Sequence, residues 1–227
     1  VDKKGFRRNR NDMPILLNIS SPSGKPAAGS SRFWGRPDLP YGSDYPFYTG
    51  TDGSEYPYVF ICQINLAEIA VYDTGNLLPH EGLLSFFARI DHYLGDFSAP
   101  DGIGGYVSGR DAVKVMYIPS CANLEEVPLP DDGRSCPVTP GEMQIVFGAG
   151  EPDTSDGHAL FASPLHRQWE TWDHPFEDWT ILLQVDSFEG EDFNLCFMDE
   201  GVLDFLISPE DLKRHRFSDV RAIVLSS

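Results

Sequence analysis

Two stretches of this chain share one pattern, and that pattern sets the expected fold. Phe60–Asn65 reads FICQIN and is followed by Gly82–Phe87, which reads GLLSFF. Ile181–Asp186 reads ILLQVD and is followed by Gly201–Leu206, which reads GVLDFL. The glycine comes 19 residues after the glutamine in the first copy and 17 residues after it in the second, and the glutamines are 121 residues apart. This repeat predicts two pseudo-equivalent halves.

Each copy carries two polar side chains inside an apolar run. Gln63 and Asn65, like Gln184 and Asp186, are two residues apart, so each pair lies on one face of its strand. A buried amide needs several hydrogen-bond partners and usually finds them in the backbone of a neighbouring loop. Two interpretations stay open: the glutamines hold loops in place, or they line a groove between the halves.

The fold class follows from short apolar runs that are separated by turn residues. Ser208 followed by Pro209 is a good helix start, and that helix should end near His215. Leu66–Val71 fits one helical turn. We therefore predict an α+β protein that is β-rich, with mostly antiparallel sheets, few short helices and an internal duplication. The predicted strands are Tyr58–Ile64, Leu83–Ile90, Val113–Ile118, Gln144–Phe147, Trp179–Val185, Asn194–Met198, Val202–Ile207 and Ala222–Leu225.

The chain divides into a leading segment and one domain. Residues 1–30 are interpreted as a tail and linker, in which Ile15–Leu17 would form at most an edge strand. Residues 31–227 are interpreted as a single duplicated domain, with halves at about 31–118 and 142–227. The proline-rich, acidic stretch between these halves marks the boundary between them.

Residues 31–58 are dense in proline, glycine and aromatic side chains. Proline fixes φ and removes a backbone donor, so we expect a shaped loop rather than regular structure. Aromatic residues on such a loop form either a recognition surface or a small core beneath it. Both interpretations stay open.

Charge narrows the possible partners. The chain has 17 basic and 35 acidic residues, a net charge of −18. Residues 1–12 hold five bases and two acids, so the remainder carries −21. Such a body repels phosphate backbones, so we expect no nucleic-acid binding, and we expect the basic tail to be solvated.

The four cysteines show no CxxC spacing. Cys62 and Cys196 lie in strand-like runs and are expected in the core, whereas Cys121 and Cys136 flank a loop and would be reduced thiols or a pair. The chain shows no signal-peptide pattern and no apolar run long enough for a membrane span. We therefore expect a cytoplasmic protein with no membrane contact.

No catalytic constellation stands out. The six histidines are dispersed without metal-ligand spacing, and there is no GxSxG motif. Asp101–Gly105 is glycine-rich but lacks phosphate-loop spacing and bases. We expect no metal and no cofactor, and catalytic residues stay unknown.

Several segments in order resemble the YwqG-like family, a bacterial domain of unknown function. Trp34 stands where that family has a glycine, so this loop differs in shape. The resemblance implies a duplicated β-rich fold in a bacterial cytoplasm and a suspected antitoxin-like role, without catalytic residues. The matching segments are Arg32–Pro40, Phe60–Asn65, Leu78–Phe87, Trp179–Asp186 and Gly201–Ile207, with Asp211, Leu212, Phe217 and Ser218 near the end.

Together these observations favour a monomeric binding protein whose acidic body engages a basic protein partner, as an immunity-type antagonist would. The alternative is a small-molecule-binding protein or enzyme with a pocket between the halves. A scaffold without a ligand is the third interpretation. The candidate contact residues are Trp34, Arg36, Asp38, Gln63, Asn65, Gln184 and Asp186.

Overall fold

A computed structural model describes residues 13–90, 103–130, 141–164, 172–189, 194–197 and 200–226. The predictions made for the basic tail, for Cys136 and for the first part of Asp101–Gly105 lie outside these residues. So do His92 and His166, two of the six histidines.

The described residues form sixteen strands and two short α-helices, and every strand pairing is antiparallel. The predicted α+β, β-rich class is confirmed. The strands are β1 (Ile15–Ser20), β2 (Arg32–Phe33), β3 (Asp38–Pro40), β4 (Phe47–Thr49), β5 (Glu55–Pro57), β6 (Val59–Asn65), β7 (Leu83–Ala88), β8 (Val113–Ile118), β9 (Leu124–Glu126), β10 (Met143–Ala149), β11 (Ala159–Leu160), β12 (Thr180–Asp186), β13 (Phe188–Glu189), β14 (Asn194–Leu195), β15 (Val202–Ile207) and β16 (Arg221–Leu225). The helices are α1 (Leu66–Ile69) and α2 (Pro209–Lys213), and a 3-10 turn spans Arg110–Ala112.

Ten strands build one sheet in the order β16-β15-β12-β11-β1-β10-β2-β6-β7-β8. β1 lies inside this sheet, because Ile15 faces Ala149 of β10 on one side and Leu160 of β11 on the other. The expectation of an edge strand at this place is therefore wrong. Ile15 and Leu17 are buried, as expected of a strand in the interior of a sheet.

The two glutamine strands have matching neighbours. β6 pairs with β7 and β12 pairs with β15, and each pair contains a register shift, between Phe60 and Cys62 in one and between Ile181 and Leu183 in the other. Such bulges bend a strand and increase its twist. Both pairs therefore bend at the same distance from their glutamine.

The match continues on both sides of the glutamines. Gln63 faces Ser85 on β7 and Arg32 on β2. Gln184 faces Asp204 on β15 and Ala159 on β11. β1 and β10 lie at the centre of the sheet, between the two glutamine strands and their neighbours.

The sheet curls until its two halves face each other. The rings of Phe86 on β7 and Phe205 on β15 are 5.3 Å apart, although seven strand steps separate these strands. In a flat sheet seven steps of about 4.8 Å would separate them by roughly 34 Å. Both rings belong to the main hydrophobic core, which the curled sheet encloses.

The curl also brings the two edges of the sheet together. Residues 103–112, which lead into β8, bond to the other edge strand, β16: Val224 N–H donates to Gly104 O at 2.9 Å and Ser108 N–H donates to Ala222 O at 2.8 Å. Arg110 then forms an ion pair with Asp219 at 2.9 Å. We call this junction the seam.

Local structure differs from expectation in two places. Residues 31–58 contain the short strands β2 to β5, so the shaped loop is partly regular, because β3 pairs with β9 and β4 with β5. Cys196 is exposed, so its assignment to the core is wrong, whereas Cys62 is buried. The helix start at Ser208 is confirmed: its side chain accepts the backbone N–H of Asp211.

Candidate functional site

Gln63 is fully buried and ties the segment before β2 to the start of β3. Its Oε1 accepts the backbone N–H of Asp38 at 2.9 Å, and its Nε2 donates to Ser30 O at 2.9 Å and to Asp38 Oδ2 at 2.8 Å. These bonds satisfy the amide as a buried polar group requires. Gln63 thus meets the criterion for a residue that holds loops in place.

Asp38 is the charged centre of this network. It accepts hydrogen bonds from Arg32 Nη1 at 2.8 Å and from Gly29 N–H at 2.7 Å, and both charged side chains are almost completely buried. Burial acts to raise the pKa of Asp38, but the bonds from Arg32, Gly29 and Gln63 outweigh it and hold the pKa below its ordinary value. The carboxylate is therefore ionised and fixed, with its charge compensated inside the protein.

Gln184 performs the same task in the second copy. It is fully buried, and its Nε2 donates to Ser155 O at 2.8 Å and to Gly157 O at 2.9 Å. Asp186, two residues on, accepts the N–H of Gly157 at 2.8 Å. Both glutamines therefore bond loop backbone.

The residues preceding β2 and β11 play equivalent parts. Ser31 Oγ accepts the backbone N–H of Asn65 at 2.8 Å, and His158 Nδ1 accepts that of Asp186 at 3.0 Å. Because Nδ1 accepts, a neutral His158 carries its proton on Nε2. Burial lowers the pKa of His158 to about 4, so the ring is neutral at physiological pH.

Asp204 is the unusual residue of the second copy. It is fully buried opposite Gln184, and among the described residues neither of its carboxylate oxygens has a hydrogen-bond partner, nor does Gln184 Oε1. Burial raises the pKa of Asp204 well above its ordinary value, and the nearby Asp186 adds to the shift. When Asp204 is protonated, its O–H is a hydrogen-bond donor among buried oxygen atoms that otherwise only accept.

The seven predicted contact residues divide by exposure. Four are buried, namely Trp34, Asp38, Gln63 and Gln184. A partner could contact these four only if the residues that cover them moved away. Asn65 and Asp186 are partly buried and hold loop backbone. Arg36 is half-exposed and pairs with Glu126 at 3.3 Å. The seven residues do not converge on one groove, because the two glutamine sites lie at separate places along the sheet.

The aromatic segment is largely a satellite core. Tyr45 and Tyr58 are buried with Leu39 beneath the first half of the sheet, and Tyr45 Oη donates to Tyr58 O at 2.7 Å. Tyr41, with 80% of its surface exposed, and Phe47, with 45%, are the large exposed side chains of this segment. Of the two interpretations of the segment, the core accounts for most of its rings.

A groove of about 770 Å³ lies at the seam and is lined by residues from both ends of the sheet. We call it the seam groove. Its buried floor and walls are Tyr58, Val113, Val115, Phe217 and Val220, and the exposed side chains at its rim include Phe47, Thr49, Arg110, Asp111, Lys114, His215, Arg216 and Ser218. Its volume is that of a typical small-molecule site.

Sequence reasoning did not find this groove. Its lining residues come from β4, from Tyr58, from β8 with the turn before it, and from residues 215–220, and they include none of the predicted contact residues. Only the curl of the sheet brings them together. The one feature of the sequence that could have indicated the groove was the placement of Lys114 and Tyr117 among the apolar residues of β8, a pattern that is common in edge strands.

Within the part of the chain that the structure describes, no three His, Cys, Asp or Glu side chains are grouped as metal ligands. Neither of the two described α-helices has the length and apolarity to cross a membrane.

The curated proteins include no match to this chain. A family described as a domain of unknown function (DUF1963) matches residues 31–224, which include both glutamine strands and the seam groove. Because this match covers most of the chain, the protein belongs to the DUF1963 family, a domain of unknown function.

Proposed function

We propose that this protein binds a small molecule in the seam groove. The observation that carries this proposal is the groove itself, about 770 Å³ in volume, with walls from residues 47–58 and 110–117 on one side and 215–220 on the other. These segments belong to the two predicted halves, so the proposal keeps the alternative of a pocket between the halves. It replaces the predicted contact residues by those that line the groove.

The walls of the groove are held by internal contacts. Tyr58 Oη donates to Asp111 O at 2.9 Å, and the ring of Tyr58 lies 5.0 Å from that of Tyr48. Tyr117 contacts Phe217 across the seam, with their rings 5.9 Å apart. A wall that is ordered before binding loses little conformational entropy when a ligand arrives, which favours affinity.

The internal duplication stays part of this proposal. The matching bulges of β6 and β12, and the matching bonds of Gln63 and Gln184 to the loops before β2 and β11, support it. In a duplicated sheet β8 and β16 would be equivalent edge strands. The seam groove would then lie where two equivalent edges meet, at a place where the repeat leaves no further strand to fill the gap.

The test is a thermal-shift screen of the full chain against a panel of small metabolites, with each hit measured by calorimetry. Thr49→Trp and Ser218→Trp place a large ring at opposite rims of the groove, and both positions are exposed, so the fold should tolerate them. We expect each variant to weaken the hits at least tenfold. Ser23→Trp, at an exposed position outside the groove lining, is the matched control and should bind as the wild type does.

Two results would overturn the proposal. One is a panel in which no compound shifts the melting temperature. The other is a set of hits that bind Thr49→Trp and Ser218→Trp as tightly as Ser23→Trp, because these ligands would then occupy another surface.

A basic protein partner is the second candidate, and one observation favours it. Tyr41 is 80% exposed, and its neighbour Gly42 is bonded to the acidic side chain of Glu125. An exposed aromatic ring beside acidic residues suits a basic partner, and such a complex should weaken as salt rises. The predictions of a cytoplasmic, monomeric, YwqG-like protein remain predictions.

This candidate is tested by affinity capture from a bacterial lysate at low and at high salt. A basic protein that is lost at high salt, and also lost with Tyr41→Ser, would support it. A truncation control should stop before residue 13, because removing residues 1–30 would take β1 out of the middle of the sheet. A partner that Tyr41→Ser retains at full strength would contradict the role of this ring.

A further inference from the structure

The charge and chemistry of the seam groove indicate what kind of molecule it takes, and this inference rests on the proposed function. We propose that the ligand carries an anionic oxygen group, such as a phosphate or carboxylate, that Lys114 binds this group, and that a planar apolar part packs against the aromatic walls. Lys114 is then the residue that determines specificity.

The groove reverses the charge balance of the chain. The whole chain has 35 acidic and 17 basic residues, about two acids for each base. The lining of the groove has three bases, Arg110, Lys114 and Arg216, and one acid, Asp111. Arg110 and Arg216 are paired with acids outside the lining, so Lys114 carries the charge that can attract a small anion to this place on an otherwise acidic surface.

Lys114 is the cation that is available to a ligand. Among the described residues it forms no ion pair, whereas Arg110 is paired with Asp219 and Arg216 with Asp211. Both arginines pair through Nη2, so their Nε and Nη1 groups keep N–H donors for an added anion. Lys114 would supply the uncompensated charge, and the arginines would supply directed hydrogen bonds.

A structural role for Lys114 must be separated from this one. Natural edge strands often carry a lysine that prevents pairing with another chain, and β8 is an edge strand. A lysine that only prevents strand pairing need not face a groove of ligand size that also contains two arginines, whereas a lysine that binds an anion must face it. Only the anion-binding role predicts that loss of the charge weakens a ligand.

The aromatic walls define the other part of the ligand. Tyr48 and Tyr58 form one side, and Tyr117 with Phe217 forms the other. Flat rings offer large contact areas and stack best on planar groups. A molecule with a ring at one end and an anionic group at the other matches both features.

Three probes separate these two contributions in calorimetry with the full chain. Phenyl phosphate carries both the ring and the anion, phenol carries the ring, and inorganic phosphate carries the anion. We expect phenyl phosphate to bind at least tenfold more tightly than either of the other two, because only it meets both parts of the groove. Its affinity should fall as sodium chloride is added, since an ion pair is screened.

Variants locate the charge that matters. Lys114→Gln keeps the length of the side chain and removes its charge, and we expect it to weaken phenyl phosphate about tenfold, as the loss of a charge-assisted hydrogen bond does. It should leave the affinity for phenol unchanged. Lys25→Gln is the matched control, because Lys25 is exposed outside the groove and has the same charge to lose. Circular dichroism melting checks that both variants fold.

The results distinguish this inference from the proposed function. If phenol and phenyl phosphate bind equally, and Thr49→Trp blocks both, the groove binds ligands but the anionic assignment is overturned. If Lys114→Gln and Lys25→Gln weaken phenyl phosphate alike, the effect is one of net charge, and the assignment to Lys114 is overturned. If the rim tryptophans leave every hit of the metabolite panel unaffected, the proposed function itself is overturned.

Discussion

At the residue scale, His158 links the pH of the solution to the stability of the fold. It is buried against the ring of Phe33, at 4.8 Å, and accepts the N–H of Asp186. Its pKa of about 4 lies below the ordinary value of 6.5. The unfolded chain therefore takes up a proton at a higher pH than the folded one, so the stability that depends on a neutral ring is complete above pH 6.5 and is lost as the pH falls toward 4.

His158→Asn tests this effect. Asparagine offers an oxygen acceptor at the position of Nδ1 but takes up no proton. We expect the wild type to lose roughly 3 kcal/mol relative to the variant between pH 7 and pH 4, since each unit of pKa shift is worth about 1.4 kcal/mol. Urea unfolding at several pH values measures this difference, and parallel stability curves for the two proteins would contradict the assignment.

The contribution of Asp204 to stability changes with pH in the direction opposite to that of His158. Its pKa is raised in the folded state, so its contribution to stability is greatest below about pH 4 and is lost as the pH rises through the raised value. Above its ordinary pKa the unfolded chain releases this proton while the folded chain keeps it, so the free energy of unfolding falls as the pH rises. The fold therefore carries a destabilising group in the middle of β15.

Asp204→Asn should stabilise the protein at neutral pH. The variant keeps the shape, supplies an N–H for Gln184 Oε1 and needs no proton, so we expect a gain in stability at pH 7 that shrinks as the pH falls toward 4. Chemical denaturation at both pH values measures it. Asp156→Asn removes an exposed charge and is the control. A destabilised Asp204→Asn at pH 7 would indicate that the folded protein uses the ionised form.

At the scale of elements, two glycines allow the edge strands to approach closely at the start of β7 and of β15. Gly82 precedes β7 and accepts the N–H of Leu66 at 3.0 Å, and Gly201 precedes β15 and accepts that of Ser187 at 3.2 Å. A methyl group on Gly82 would collide with the carbonyl of Ile118, and one on Gly201 with that of Leu225. The edge strands β8 and β16 thus approach these glycines too closely for any side chain.

Gly82→Ala and Gly201→Ala should both destabilise the fold, each by at least about 2 kcal/mol, because the colliding atoms belong to backbone that is held in the sheet. Gly24→Ala should be neutral, since open space surrounds that position. Thermal unfolding compares the three. If one glycine tolerates alanine and the other does not, the two strand pairs are less equivalent than their registers indicate.

Strand prediction succeeded where the pattern was local. The mostly apolar runs of β8 and β15 gave their bounds to the residue, because short apolar-rich runs bounded by turn residues favour strands. β1 was misjudged as an edge, because a short apolar run gives no sign of how many neighbours it has. The short strands β2 and β3 were missed because they pair with strands that lie far away in sequence, and β4 and β5 were missed because their hairpin lies in a segment rich in proline and glycine.

At the scale of the whole molecule, charge acts on stability as well as on partners. The chain carries a net charge of −18, so mutual repulsion opposes the compact state. Salt shortens the range of this repulsion from about 30 Å at 0.01 M to about 8 Å at 0.15 M. The seam groove is a local exception, because its lining carries more bases than acids.

We therefore expect the melting temperature at pH 7 to rise when sodium chloride is raised from 0.01 to 0.15 M. Scanning calorimetry measures the rise. The same step near pH 4.5, the isoelectric point of the chain, should have a much smaller effect, because the net charge is then close to zero. A melting temperature that falls with salt at pH 7 would show that attractive ion pairs outweigh the repulsion.

The sequence by itself determined the β-rich class, most strands of the large sheet, the cap of α2 and the need of the two glutamines for partners, but not whether they hold loops or line a groove. These depend on local properties: apolar periodicity, turn chemistry, and the need of a buried amide for partners close by. Only the tertiary structure decided that β1 lies inside the sheet, that Asp204 is buried without a partner, and that the two sheet edges meet around a basic groove. These depend on contacts between residues far apart in the chain, such as Tyr117 with Phe217, and no local pattern records the curl that brings such residues together.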